Sequence, residues 1–209
     1  MIKQTLYPKT SRVNPSEKYL ITEKLDGSNL TFFKLDDMLY IGQRNYIFTL
    51  DECYNNPDSN SRLYNGLSNL LARHGKNLET ALVDGSAIVG EWLSMGHIKY
   101  SYDEVNRFYQ FAKANVKLNE FDEYSMYNIY YDMDLFKYSY ADQEKPSYIN
   151  TVPVVKQINA VSIDDLNKLY DEYTDQVDRD VEGFVVSKGK GFVQKYVRMK
   201  NGKLQEHRP

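Results

Sequence analysis

The stretch Glu23–Phe33, EKLDGSNLTFF, decides how the rest of the chain is read. Its Asp26-Gly27-Ser28-Asn29 step is turn chemistry, since Gly tolerates any backbone region and Asp, Ser and Asn bond their own backbone. Leu30, Thr31, Phe32 and Phe33 then favour a pleated surface. With the loosely alternating KYLITEKL before them, residues 18–34 read as two strands around a turn. Taken alone, this is a plain hairpin corner and Lys24 is a solvated strand residue. The alternative makes Lys24 a nucleophile held at a strand end. Lys-any-Asp-Gly arises by chance in about one chain in twenty of this length, so other segments have to discriminate.

Outward from this stretch, MLYIGQR (38–44) reads as a third strand and DECYNNPDSNSR (51–62) as a polar loop. LYNGLSNLLARHGKNL carries Leu63, Leu67, Leu70 and Leu71 at helical spacing. SAIVGEWL (86–93) is a compact apolar strand, and DEVNRFYQFAKAN (103–115) reads as a loop with helical character or a short helix. MYNIYYDMDLF (126–136) reads as a strand. SIDDLNKLYDEYTDQV (162–177) is an amphipathic helix with Ser162 as its cap and Asp164 and Asp165 in its first turn. VEGFVVS and FVQKYVRMK close the chain as two strands joined by KGKG. The pattern is α+β, with many antiparallel strands and few helices, and no linker divides it into two domains.

The bulk numbers suit a packed globular protein: 209 residues, 42% hydrophobic and 26% charged. The single cysteine, Cys53, rules out an internal disulfide or a cysteine-built metal site, and His74, His97 and His207 are too scattered to suggest zinc. No apolar run approaches the roughly 20 residues of a membrane span, and MIKQTLYPKT lacks the apolar core of a secretion signal. An intracellular, cytoplasmic protein is expected. The 19 tyrosines suit either a groove that stacks flat ligands or simply a Tyr-rich surface. A net charge of −3 argues against a polyanionic partner, but residues 188–209 hold seven Lys/Arg against one acid, Glu206. Such a basic end can focus a polyanion.

A lysine nucleophile would attack phosphorus through its neutral amine, giving a phosphoramidate. Because a free lysine titrates near 10.4, the site must also hold positive neighbours or a metal that disfavour the ammonium. A divalent cation would in addition help pyrophosphate leave. The chain carries such parts in order: Lys24-Leu25-Asp26-Gly27, then Val89-Gly90-Glu91-Trp92, Tyr130-Tyr131-Asp132, Glu182-Gly183-Phe184, and Gln194-Lys195-Tyr196-Val197-Arg198. These segments resemble motifs I, III, IIIa, IV and V of the covalent nucleotidyltransferases, which comprise RNA ligases, DNA ligases and mRNA-capping enzymes. EKLDGSN, GEWLSMGHIKY and the ending KYVRMKNGKLQEH are most similar to phage and bacterial RNA ligases, over about residues 5–208.

The resemblance implies an ATP-grasp-like nucleotidyltransferase domain of mainly antiparallel sheets flanked by helices, spanning 1–209 as one adenylyltransferase unit with no C-terminal appendage. Relatives usually add a second domain after motif V, so either a minimal ligase or a trimmed catalytic domain is expected. By resemblance, Lys24 becomes adenylylated, and Glu91 holds the ribose hydroxyls of ATP. Tyr131 stacks on the purine, where a Phe is more usual. Glu182 binds Mg2+ or Mn2+, and Lys195 touches the α-phosphate and favours neutral Lys24. Asp26 and Gly27 complete the nucleotide-binding motif, Arg44 stands near the ribose and the 5′-phosphate end, and Glu23 or its backbone reaches the adenine edge. Relatives often show Lys-any-Lys in motif V. Here Lys195 is favoured, with Arg198 and Lys200 as RNA-backbone contacts or alternates. His97 is assigned only a structural role. The implied activity is sealing of RNA 5′-phosphate and 3′-hydroxyl ends; the alternatives are a capping guanylyltransferase using GTP, and an RNA-binding module with a degenerate site.

Overall fold

The computed structural model describes residues 11–12, 19–94, 96–200 and 203–204. In chain order the elements are β1 (Ser11–Arg12), β2 (Tyr19–Glu23), β3 (Ser28–Leu35), β4 (Met38–Gly42), β5 (Ile47–Thr49), α1 (Leu50–Asn55), α2 (Pro57–Ser61), α3 (Leu67–Ala81), β6 (Ser86–Leu93), β7 (Arg107–Leu118), β8 (Tyr124–Tyr130), a 3₁₀ helix (Met133–Ser139), β9 (Ile149–Thr151), β10 (Val154–Ile158), α4 (Ile163–Thr174), β11 (Gly183–Lys188), β12 (Phe192–Val197), β13 (Met199–Lys200) and β14 (Lys203–Leu204).

These strands build two main sheets. One runs β5-β4-β3-β6-β7-β8 with β9 paired to β7; the other runs β1-β12-β11-β2-β10. All pairings are antiparallel except β1 with β12 and β7 with β9. The α+β reading therefore holds. The hairpin reading of Glu23–Phe33 does not: β2 and β3 belong to different sheets, and Lys24–Gly27 is the crossing between them. The turn residues are used to change sheets, not to fold a strand back on its neighbour.

Each sheet buries one face against helices. Leu30 and Phe32 of β3, Leu39 and Ile41 of β4, and Ile88 of β6 pack against Leu67, Leu71 and Leu78 of α3. Each of these fully buried side chains contributes about 1.5–3 kcal/mol relative to exposure. The second sheet lays Ile21, Phe184, Val186 and Tyr196 on Leu166 and Tyr170 of α4. That helix starts at the expected cap: the Asp165 amide donates to Ser162 Oγ at 3.1 Å, and the Asp165 carboxylate accepts from the Ser162 amide at 2.9 Å. The opposite faces of the two sheets look towards each other across a cleft.

Three sequence expectations need correction. Residues 51–62 are not a loop but α1 and α2. Thr49 and Glu52 cap the first reciprocally, and Asn56 with Pro57 starts the second. Residues 107–118 are a twelve-residue strand in which every second residue from Phe108 to Val116 is buried, Phe108 and Gln110 on the α3 side and, past a register shift against β6, Ala112, Ala114 and Val116 on the other. Alanines and a buried Gln110, whose Oε1 accepts from Tyr140 Oη at 2.9 Å, disguise that period in sequence. The strand expected over 126–136 ends at Tyr130, and Asp132 instead caps the 3₁₀ helix.

Candidate active site

The cleft has a volume of about 780 Å³ and draws its walls from both sheets, a size in the usual range for small-ligand sites. Alternation along β2 sends Tyr19 and Ile21 to the α4 side, so Thr22 and Lys24 line the cleft. Val185 of β11 with Val193 and Lys195 of β12 continue that wall. Across from them stand Asn29 and Thr31 of β3, Gln43 and Arg44 after β4, Glu91 of β6 and Phe111 of β7.

Lys24 is anchored at the sheet crossing. Its amide donates to the Gly183 carbonyl at 2.9 Å, and its Nζ lies 2.5 Å from Glu182 Oε2, with a quarter of the lysine side chain still exposed. Gly183 has φ +151°, and a Cβ there would stand 2.0 Å from the Tyr196 carbonyl oxygen. Only glycine lets β11 start this close to β12 and present Glu182 to the lysine. Gly27 serves the same close approach: a Cβ on it would meet the Trp92 carbonyl at 2.6 Å and Glu91 Cγ at 2.9 Å.

Burial raises the Glu182 pKa, partly offset by Lys24 and Lys195, while the Asp26 charge adds to the rise. Glu91 is pushed up to about 8. Burial is the main cause, opposed by Lys24 and by a hydrogen bond from the Gly27 amide, and reinforced by the charges of Glu182 and Asp26. Lys24, Glu91, Glu182 and Lys195 thus form one electrostatically coupled group drawn from four distant segments. Carboxyls whose pKa is raised in a cleft, next to a lysine, mark a site prepared for a ligand.

Other expected residues are placed differently. Glu23 borders the cleft, but its side chain turns to the α4 side, as its neighbour Lys24 requires, and only 1% of it is exposed. Its carboxylate accepts both terminal nitrogens of Arg179, at 2.5 and 2.9 Å, and the Tyr173 hydroxyl at 2.8 Å. Its side chain is therefore spent internally, and only its backbone remains for the adenine edge. Asp26 does not line the cleft; its Oδ2 accepts the His97 and Ile98 amides at 2.5 and 3.0 Å, and its own amide donates to the Tyr100 hydroxyl at 2.7 Å. It clamps the loop after β6 beneath the crossing. Glu104 Oε1 receives Arg179 Nε at 3.2 Å, and the Arg179 guanidinium lies 4.9 Å from the Tyr100 ring centroid. Thus Arg179, absent from the sequence reading, links the supports of Glu23 and Asp26. Burial works against its charge, but Glu23 and Glu104 more than offset this and raise its pKa.

Tyr131 does not border the cleft. It is buried against Val89 and Ala112 and edges a second pocket instead. Two aromatic residues line the cleft, Tyr64 and Phe111, and Phe111 packs against the same cluster from the open side. The signal for it was the Phe-any-any-Phe run of β7, concealed once that segment was read as loop or helix. Arg198 turns towards α4: its guanidinium covers the Tyr170 ring at 5.0 Å and donates to Asn167 Oδ1 at 3.2 Å. Lys200 falls in β13, and its side chain lies outside the described residues. Arg44 sits exposed at the rim, its amide held by the Tyr64 hydroxyl at 3.0 Å. His97 contributes only backbone.

Among the described residues no cluster of three or more His, Cys, Asp or Glu side chains could hold a metal unaided. Glu182, beside Lys24 at the cleft wall, fits a hard cation that takes one or two carboxylates and completes its shell with substrate phosphates and water.

Residues 17–201 match the model of the RNA ligase family, most of the chain, and the chain belongs to that family. Its fold is similar to solved structures of Naegleria gruberi RNA ligase. An apo variant has 18% identity and a TM-score of 0.52, covering 92% of this chain and 56% of that one. A variant with ATP and Mn has 16% identity and a TM-score of 0.53, covering 92% and 56%; another with ATP and Mn has 16% and 0.53, covering 93% and 57%. The chain therefore spans a little over half the length of these structures. No curated protein matches the sequence at a significant level. Among the described residues, no helix is long and apolar enough to cross a membrane.

Proposed function

We propose that this chain, read as one adenylyltransferase domain over residues 1–209 with an ATP-grasp-like architecture, catalyses ATP-dependent RNA ligation through a lysyl-AMP intermediate. The observation that carries the reading is Lys24 Nζ, 2.5 Å from Glu182 at the wall of a cleft shared with Glu91, Phe111 and Lys195, in a member of the RNA ligase family. The N. gruberi ligase structures with ATP and Mn support the choice of nucleotide and metal.

Phe111 offers a ring face to the purine, in the role first expected of Tyr131. Glu91, half-buried and protonated through neutral pH, can donate to a ribose oxygen as well as accept from one. Lys195 and Arg44 meet the phosphates from opposite walls. A divalent cation held by Glu182 would neutralise charge at the α-phosphate. In the first step Nζ passes one ammonium proton to the Glu182 carboxylate, its lone pair forms an N–P bond as the P–O bond to pyrophosphate breaks, and a second proton leaves the nitrogen to water. An RNA 5′-phosphate oxygen next attacks the same phosphorus, and the lysine nitrogen leaves with a proton. Finally a 3′-hydroxyl attacks the 5′-phosphate, closes the phosphodiester and expels AMP. The protein supplies position and charge throughout.

The test is an intact mass spectrum after incubation with ATP and Mg2+ or Mn2+. A gain of one AMP is expected, absent in Lys24→Ala and absent with GTP in place of ATP. A wild-type chain of unchanged mass would overturn the reading.

A further inference from the structure

Thr31, in the middle of β3, lines the cleft and is 1% exposed, yet its Oγ1 has no hydrogen-bond partner. Among the described residues two other buried side-chain atoms share that condition, in Ser139 and Tyr148, and neither residue lines the cleft. The branched Cβ of threonine suits a strand, which accounts for the shape of the residue and leaves the hydroxyl unexplained. Residues paired across a ladder share a face. Thr31 stands between Gly42 of β4 and Val89 of β6, neither of which has a polar side-chain atom to offer. An unmatched buried hydroxyl lowers the stability of the fold, and valine would fill the same space without that cost.

Register fixes the level of Thr31 in the cleft. Lys24 stands at the sheet crossing. On β3, Asn29 is paired with Glu91, and the next residue on the same face, Thr31, is paired with Val89, about 7 Å further from the crossing at the usual strand rise. Strand β7 adds a ring at this level. Its ladder with β6 shifts between Val89 and Gly90, and Phe111, the extra residue between Gln110 and Ala112, packs against Val89. From the opposite wall Val185 and Val193 face the cleft, and Val193 meets the same cluster. A nucleotide laid with its α-phosphate at Lys24 and its ribose at Glu91 carries its base to this level, between apolar walls and beside the Thr31 hydroxyl.

We propose that Thr31 is a specificity-determining residue of the nucleotide site: its hydroxyl donates to a ring nitrogen of the purine stacked on Phe111. The proposal rests on the lysyl-AMP reading for the direction in which the nucleotide lies. Staggered χ1 positions let a threonine exchange its hydroxyl and its methyl, so the side chain can turn its hydroxyl to a base that a valine could only touch. A donor that binding alone satisfies favours a ligand able to accept from it, and penalises one that leaves it unpaired. A single polar group in an apolar slot orients a ligand in this way.

The test is isothermal titration of AMP, which binds without reacting, onto the whole chain as wild type, Thr31→Val and Thr31→Ser, with melting temperatures recorded in the absence of nucleotide. Thr31→Val should melt about 2–4 °C higher than wild type, because it removes an unmatched hydroxyl from a buried position. It should also bind AMP about tenfold more weakly, whereas Thr31→Ser, which keeps the hydroxyl, should stay within about threefold of wild type. Deaza analogues of AMP, each with one ring nitrogen replaced by C–H, locate the acceptor. With one of them wild type should lose about tenfold in affinity and Thr31→Val should lose nothing more. Equal AMP affinity in Thr31→Val and wild type overturns the proposal, as does a wild-type chain that does not bind AMP. A lower melting temperature in Thr31→Val also overturns it, since the hydroxyl would then have its partner inside the protein. A loss in Thr31→Val that disappears with 2′-deoxy-AMP, and with none of the deaza analogues, moves the contact to the ribose and overturns the assignment to the base. Lysyl-AMP formation from ATP is followed separately by mass, so a chain that binds AMP through Thr31 but gains no mass defeats the proposed reaction and leaves this contact standing.

Discussion

Glu23 and Glu91 both belong to the surroundings of Lys24, and the two sides of that lysine are built differently. Behind the cleft, Glu23 is sealed from water and satisfied three times over, by two Arg179 nitrogens and the Tyr173 hydroxyl. Within the cleft, Glu91 has the Gly27 amide and the fields of its neighbours, and its pKa climbs to about 8. A buried charge left unmatched is expensive. The protein removes that cost where a scaffold is wanted and leaves it in place where a ligand is awaited.

The strongest way to break this contrast is to unbalance the sealed side. Arg179→Ala leaves the Glu23 carboxylate buried and alone, so unfolding in urea should show a loss of about 3–5 kcal/mol. Replacing both partners, Arg179→Met with Glu23→Leu, should recover most of it, because an apolar pair of similar volume carries no desolvation cost. On the open side, Glu182→Gln should slow lysyl-AMP formation by about 10²–10³-fold, the usual loss when a positioned charge is removed from a reaction site. Its melting temperature should change little, since the pair it breaks is partly solvated. Phe111→Ala should weaken nucleotide binding about tenfold in isothermal titration, whereas Tyr131→Phe should leave it unaltered.

The smallest effect sharpens the comparison through pH. The Glu91 carboxyl has its folded pKa, about 8, above its ordinary value of 4.5. Between these the folded chain keeps a proton that the unfolded chain has released, so its contribution to stability falls as pH rises through that window. Glu91→Gln removes the dependence. The melting temperature of the variant relative to wild type should therefore climb from pH 5 to pH 9, and a flat difference would refute the assignment.

The two sides were also unequally legible in the sequence. Lys24, Glu91, Glu182 and Lys195 are singled out because each sits in a short stretch whose residue types serve chemistry; Lys24, Glu91 and Lys195 line the cleft, and Glu182 pairs with Lys24 at its wall. Glu23 and Asp26 share the stretch of Lys24, but their side chains, one by strand alternation and one by loop clamping, point elsewhere, which leaves Glu23 its backbone at the cleft. Arg179 had no local signal at all, since its meaning depends on Glu23, 156 residues away. Tyr131 comes from its resemblance to the aromatic-Asp motif, and Phe111 stays hidden because β7 conceals its period behind alanines. The sheets themselves were readable, but their partnership was not, because Asp-Gly serves a hairpin and a sheet change equally well.

That sheet change carries a mechanical consequence. Among the described residues the chain passes between the two main sheets at 24–27 and again at 152–153. The two passages run side by side, joined by the Glu23 amide on the Pro153 carbonyl at 2.9 Å. They are stitched like the spine of a book, with one sheet as each cover. Any widening or narrowing of the angle between the covers has to be taken up at that binding, and Lys24 is sewn into it. The backbone that carries Lys24, the proposed nucleophile, therefore travels least when the walls move most.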